Sequence, residues 1–113
     1  MNIEITTDIL KGRVALVTGA SRGNGAAIAR GLAQHGAAVA VTDILDDGAA
    51  AIANEIVEAG GRAIWRHLNV VDTEECNRVA ADVSDHLGDI SILINNAGVV
   101  TREAIGGQGF QEG

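Results

Sequence analysis

The sequence predicts an α/β fold, a doubly wound parallel sheet of about four strands and three helices. Short apolar runs rich in branched residues alternate with amphipathic stretches, the pattern of repeated strand, helix, strand units around a buried parallel sheet. A glycine-rich loop falls directly between the first strand and the first helix. The length, 113 residues of which 47% are hydrophobic, suits one compact domain or part of one and excludes two.

The first strand reads from Val14 to Thr18 as Val-Ala-Leu-Val-Thr. Ala26, Ala27, Ile28, Ala29, Leu32 and Ala33 then recur at helical spacing, and Gly36 ends that helix. Its alanines allow close packing on the sheet, and crossovers of this kind are right-handed. The second strand is Ala38 to Thr42. The second helix opens with Asp46 and Asp47 as N-caps, carries Ile52, Ile56 and Val57 on one side, and stops at Gly60-Gly61. A third strand runs from Ala63 to Leu68. The third helix starts at Asp72-Thr73-Glu74-Glu75, an acidic cap followed three residues later by Glu as in a capping box, and closes at Gly88. The fourth strand is Ile90 to Ile94. Residues 106–113 hold four of the 15 glycines and show no period. Residues 99–113 are therefore expected to form a disordered or weakly held tail.

Composition excludes several functions. With 8 basic against 15 acidic residues the net charge is -7, which opposes a sequence-independent grip on nucleic acid or an anionic lipid surface. The single cysteine, Cys76, permits neither an internal disulfide nor a thiolate zinc cluster, and a cytoplasmic setting follows by default. Glu4 and Asp8 stand where a leader would be basic, and no apolar run approaches the roughly 18 residues of a membrane span. His35, His67 and His86 lie on different elements without ligand spacing and read as surface or satisfied histidines. Cys76 reads as a small buried hydrophobe and Trp65 as packing, since a single-strand reader needs several aromatics. There is no tyrosine, and Lys11 is the only lysine, so no Tyr/Lys proton relay can be built within the chain.

The loop after the first strand is Thr18-Gly19-Ala20-Ser21-Arg22-Gly23-Asn24-Gly25. Gly19 permits a sharp turn out of the strand, and Gly23 and Gly25 lack the Cβ atoms that would keep a pyrophosphate from the N–H groups of the helix N-terminus. No Gly-Lys-Ser/Thr follows, which argues against phosphoryl transfer. A tight strand-to-helix turn would use the same glycines. Asp43 adds a second signal: it ends the second strand at about the spacing from Gly25 at which an acidic side chain accepts hydrogen bonds from an adenosine ribose.

From about Leu10 to Gly98 the sequence resembles the short-chain dehydrogenase/reductase family. The resemblance rests on the run Lys11-Gly12-Arg13-Val14-Ala15-Leu16-Val17-Thr18-Gly19-Ala20-Ser21-Arg22-Gly23, on Asp43, on Leu68-Asn69-Val70 and on Asn95-Asn96-Ala97-Gly98. It looks most like the branch that includes 3-oxoacyl-carrier-protein reductases. The resemblance implies the N-terminal half of a Rossmann domain, residues 1–98, and a set of cofactor contacts. Gly19, Gly23 and Gly25 would line the pyrophosphate, and Ser21 and Arg22 would lie beside the adenosine ribose. Asn69 and Val70 would flank the adenine. Asn96, Ala97 and Gly98 would pass beneath the nicotinamide-side ribose, with Asn95 bracing the neighbouring strands. Asn24 stands where the family usually has isoleucine; backbone contacts survive that change, and an apolar contact near the nicotinamide is what it puts at stake.

The expected cofactor is NAD, with NADP less favoured, because Asp43 would repel a 2′-phosphate more closely than a flexible Arg22 would attract it. Family members transfer hydride between the nicotinamide and an alcohol or ketone using a serine, a tyrosine and a lysine downstream of the Asn-Asn-Ala-Gly motif. None of those positions exists here. The chain reads as the front portion of such an oxidoreductase, whether a fragment or a truncated gene product, inactive alone; the alternative is a non-catalytic nucleotide-binding or interaction module. Losing the later strands should bare Ile90, Ile92 and Ile94 as an adhesive face, leaving the chain marginally folded and prone to self-association.

Overall fold

The computed structural model describes residues 8–97. Seven elements follow in the expected alternation: β1 (Val14–Thr18), α1 (Gly23–Gln34), β2 (Ala38–Asp43), α2 (Asp46–Glu58), β3 (Arg62–His67), α3 (Thr73–Leu87) and β4 (Ile92–Asn95). The strands form one parallel sheet in the order β3-β2-β1-β4. The chain steps outward from β1 to β2 to β3, then α3 carries it back across the sheet to place β4 on the other side of β1. The strand order reverses between β1 and β4, and open sheets of this class bind ligands beyond the carboxyl ends of the strands at such a point.

The strands' period of two divides the core into two layers. Val17, Val39 and Val41 point to one face, where Ala26 and Ala29 of α1 and Ala49, Ile52, Ala53 and Ile56 of α2 cover them. Val14, Leu16, Ala38 and Ala40 point to the other, under Val79, Val83 and Leu87 of α3. All five residues of β1 are buried, which explains why the sequence there is a continuous apolar run instead of an alternating one. Small residues at the start of α1 let it pack closely under the turn that leaves β1: a Cβ on Gly25 would stand 2.1 Å from the Gly19 carbonyl oxygen.

Several boundaries differ from the sequence reading. Asp46 and Asp47 lie inside the first turn of α2; Leu45 occupies the cap position and no side chain caps the helix. There the two carboxylates act on the helix dipole instead. Asp72 does cap α3, its Oδ1 accepting from the Glu75 N–H at 3.0 Å. The reciprocal half of the capping box is diverted, because Glu75 Oε1 accepts from the Asn69 N–H at 2.6 Å. Strand β3 begins one residue early and ends at His67, leaving Leu68 as a buried residue whose N–H donates to the Asp43 carbonyl at 3.0 Å.

Strand β4 starts two residues later than expected, and the face it bares is a different one. Ile90 packs on the α3-side core and Ile94 on the α1/α2-side core, while Leu93 between them is 66% exposed. Trp65, on the outer strand β3, is 36% exposed and so only partly a packing residue. Cys76 is half-buried against the α3-side core, its Sγ 3.7 Å from the Val70 carbonyl. Each histidine has a partner: His35 meets the Gly31 carbonyl, His67 the Asp46 carboxylate and His86 the Asp82 carbonyl. Among the described residues no cluster of metal-ligating side chains occurs and no helix is long and apolar enough to cross a membrane. The expected 99–113 tail and Gly98 lie outside the described residues.

Candidate nucleotide-binding site

Beyond the carboxyl ends of β1, β2 and β4 lies a cleft of about 480 Å³ lined by Gly19, Arg22, Gly23, Asp43, Asn69, Val70, Asn96 and Ala97, with Ile44, Leu45 and Leu68 as apolar wall. One end of the cleft is built by the turn from β1 into α1. Gly19 and Gly23 both hold positive φ, 61° and 59°, a conformation that a side chain would strain. At Gly19 space forbids a side chain as well, since a Cβ would sit 3.1 Å from Ala97 Cβ, Ala97 N and Asn96 Nδ2. At Gly23 nothing lies within 4 Å, so the helix start is open. Arg22 occupies the cap position without a side-chain cap bond, and the first turn carries no acidic residue. The leading N–H groups of α1 are thus available to an anion.

Threonines stitch the loop to the strand ends. Thr42 Oγ1 donates to the Val17 carbonyl at 2.8 Å, and the Ala20 N–H donates to the Thr42 carbonyl at 3.0 Å. Thr18 Oγ1 lies 3.1 Å from Asn95 Oδ1 and accepts from the Ala97 N–H at 3.1 Å, while Asn96 Nδ2 donates to the Gly19 carbonyl at 3.1 Å. The floor of the cleft is therefore held by side chains of β1 and β4 across the switch point, with Asn95 bracing the two strands.

Asp43 is the hinge of the other end. Its Oδ2 accepts from the Ser21 N–H at 3.0 Å and its Oδ1 from the Leu45 N–H at 3.0 Å. Burial by itself would raise the pKa of this carboxyl, but hydrogen bonds led by the Leu45 N–H outweigh burial and hold it below its ordinary value. The group is ionised at neutral pH, and two bonds leave a carboxylate with lone pairs to spare for ligand hydroxyls. Behind it, Ser21 Oγ is buried and has no hydrogen-bond partner among the described residues.

Eight of the twelve sequence-derived site residues line the cleft. Ser21 stands behind Asp43, Gly25 is buried beneath the loop, and Asn24 is exposed on the first turn of α1. Gly98 lies outside the described residues. Sequence reasoning missed Ile44, Leu45 and Leu68 as site residues. A signal for the first two exists: two large apolar side chains follow a buried strand and precede a helix, where a polar cap is the usual choice. They remain 58% and 43% exposed at the cleft rim.

A family model described as short chain dehydrogenase matches residues 13–112. The 3-oxoacyl-[acyl-carrier-protein] reductase of Vibrio cholerae is 46% identical over 94 residues, covering 83% of this chain and 37% of that protein. Trans-4-hydroxycyclohexanecarboxylate dehydrogenase of Sinomonas cyclohexanicum is 36% identical over 105 residues, covering 88% of this chain and 40% of that protein. Among solved structures, a dehydrogenase/reductase from Sinorhizobium meliloti superposes with a TM-score of 0.76 at 43% identity, covering 80% of this chain and 36% of the other. In each case the chain spans well under half the length of its relative. The sheet order, the glycine turn into α1 and the match over nearly the whole chain have one source: the chain belongs to the short-chain dehydrogenase/reductase family and carries its N-terminal Rossmann region.

Proposed function

We propose that this chain is the NAD-binding portion of an oxidoreductase that moves hydride between a nicotinamide cofactor and an alcohol or ketone. Its family uses nicotinamide cofactors. The observation that carries the preference for NAD is the Asp43 carboxylate, ionised and fixed by the Ser21 and Leu45 N–H groups on the rim of the cleft. A dinucleotide fits the donor set. The uncapped start of α1 with Gly19 and Gly23 would take the pyrophosphate, Gly25 letting the loop close onto the helix beneath it, and Asp43 with Ser21 and Arg22 would take the adenosine ribose. Leu45, Leu68, Asn69 and Val70 would enclose the adenine, and Asn96, Ala97 and Gly98 the nicotinamide-side ribose. Asn24, solvent-facing, would add only its backbone N–H. A bound nicotinamide supplies the hydride acceptor or donor.

The residues of this chain bind and orient; they do not move the substrate's proton. No tyrosine exists to donate one, and the only lysine, Lys11, precedes β1 at the end of the sheet opposite the cleft. Discrimination comes from charge. A 2′-phosphate placed against Asp43 would meet a carboxylate whose position two N–H groups fix, whereas Arg22 is exposed and free to swing away. The lone cysteine, Cys76, suits a reducing cytoplasm. Calorimetric titration of the chain with NAD and NADP tests the reading. NAD should bind more tightly, and Asp43→Ala should narrow the gap; tighter NADP binding to the unmodified chain would sink it.

A further inference from the structure

His67 is the last residue of β3 and the register partner of Asp43 on β2. It lies outside the lining of the cleft, yet it touches the structure that makes one wall of it. Its Nδ1 is 2.7 Å from Asp46 Oδ1, the first residue of α2. Between Asp43 and Asp46 there are only Ile44 and Leu45, the apolar rim. The segment is thus fixed at one end by the Asp43 bond to the Leu45 N–H and at the other by the His67 bond to Asp46. The helix turn that follows is pressed against the glycine loop: a Cβ on Gly48 would stand 2.7 Å from Ser21 Cβ.

We propose that His67 is a positioning and specificity-determining residue for the adenosine side of the cleft, holding the Ile44-Leu45 wall through Asp46 and, when cationic, easing the approach of a 2′-phosphate. The inference rests on the nucleotide-binding reading above. The charged groups facing His67 are all acidic: Asp46 from α2, Asp43 from β2 and Glu75 from α3. The hydrogen bond to the Asp46 carboxylate raises the imidazole pKa above its ordinary value, outweighing the opposing effect of desolvation, and the charges of Asp46, Glu75 and Asp43 push the same way. The neighbouring cation, Arg66, is turned to Asp82 of α3. Protonation of His67 therefore places the only positive charge within an acidic group of three, beside the carboxylate that discriminates between the two nucleotides.

The two nucleotides differ only at the adenosine ribose 2′ position, a hydroxyl in NAD and a phosphate in NADP, so the ratio of their affinities isolates what acts there. In the full chain, lowering pH through the range in which histidine titrates, about pH 8 to pH 6, should shift that ratio toward NADP. The shift should exceed that of His67→Gln by about two- to fivefold, the scale of exposed charge interactions. The phosphate's own titration is common to both proteins and cancels in the comparison. Proton NMR of the imidazoles supplies a readout without nucleotide: His67 should titrate above an ordinary histidine and fall back toward one in Asp46→Asn. Equal pH dependence in wild type and His67→Gln, or ordinary titration of His67 in the wild type, overturns the inference while leaving nucleotide binding standing. Absence of binding by either nucleotide at any pH overturns both.

Discussion

Two glycines on α1 should respond to the same substitution with opposite sign. Gly25→Ala places a methyl 2.1 Å from the Gly19 carbonyl oxygen, 2.8 Å from its carbonyl carbon and 3.0 Å from Ala20 Cα. All three are backbone atoms, so no rotamer change relieves them, and α1 must retreat from the turn that precedes it by roughly 1 Å to restore ordinary contact. Crowding of that kind costs about 1–3 kcal/mol, against which the better helix propensity of alanine returns less than about 1 kcal/mol. A net loss of about 1–2 kcal/mol is a large share of the roughly 5–15 kcal/mol that holds a domain together, and lowers Tm by about 5–15 °C. Two turns along, a Cβ on Gly31 meets nothing within 4 Å. Gly31→Ala should therefore stabilise by about 0.5–1 kcal/mol through helix propensity and a less free unfolded chain. Urea denaturation and thermal melts of the two variants against wild type give the comparison. Equal stability of Gly25→Ala and Gly31→Ala would refute the close approach of loop and helix on which the cleft depends.

Three further outcomes are expected. The Asp43 carboxyl is held below its unfolded value, so the stability it contributes is complete above about pH 4 and drains away as pH falls through the lower folded value; acid unfolding curves of Asp43→Asn should lack that component. Leu93, 66% exposed on the outermost strand among the described residues, should drive association of the chain. Leu93→Glu should weaken that association roughly tenfold or more by sedimentation velocity, since burial of a leucine is worth about 1.5–3 kcal/mol. With no tyrosine available, the chain alone should leave nicotinamide absorbance at background with any alcohol or ketone, and reproducible turnover would contradict the division of labour argued above.

The sheet and the glycine turn were legible because each rests on a local physical requirement. A strand buried on both faces must be apolar along its length, as Val14 to Val17 is, and a helix that packs closely must be small where it touches, as Gly25, Ala26 and Ala29 are. What failed depended on tertiary geometry. The spacing of Asp72 and Glu75 specifies a capping box, yet Glu75 has a nearer donor in Asn69, which only the turn after β3 brings within reach. Two aspartates at a helix start suit the cap and the first turn equally, and the structure uses them in the turn. On β4 the composition says that branched residues are present, but parity decides which point outward, and a strand's alternate faces are exchanged by one residue. Register against β1 sets Leu93 opposite Leu16 and leaves it without the helix cover that Leu16 receives. The apolar rim at Ile44 and Leu45 was overlooked because exposed hydrophobes at a strand end have no period to betray them.

For the proposed function, the glycine turn, Asp43 and the loop after β3 must act together as one nucleotide site. Mapping backbone amide shifts of the full chain on addition of NAD tests this most directly, since each N–H reports its own surroundings. Shifts should concentrate at Gly19 to Gly25, at Asp43 to Leu45 and at Leu68 to Val70, and should leave the far ends of the strands, from Lys11 to Val14 and from Gly60 to Ala63, unmoved. Shifts confined to the Lys11 and Gly60 end of the sheet, or none at saturating nucleotide, would contradict it.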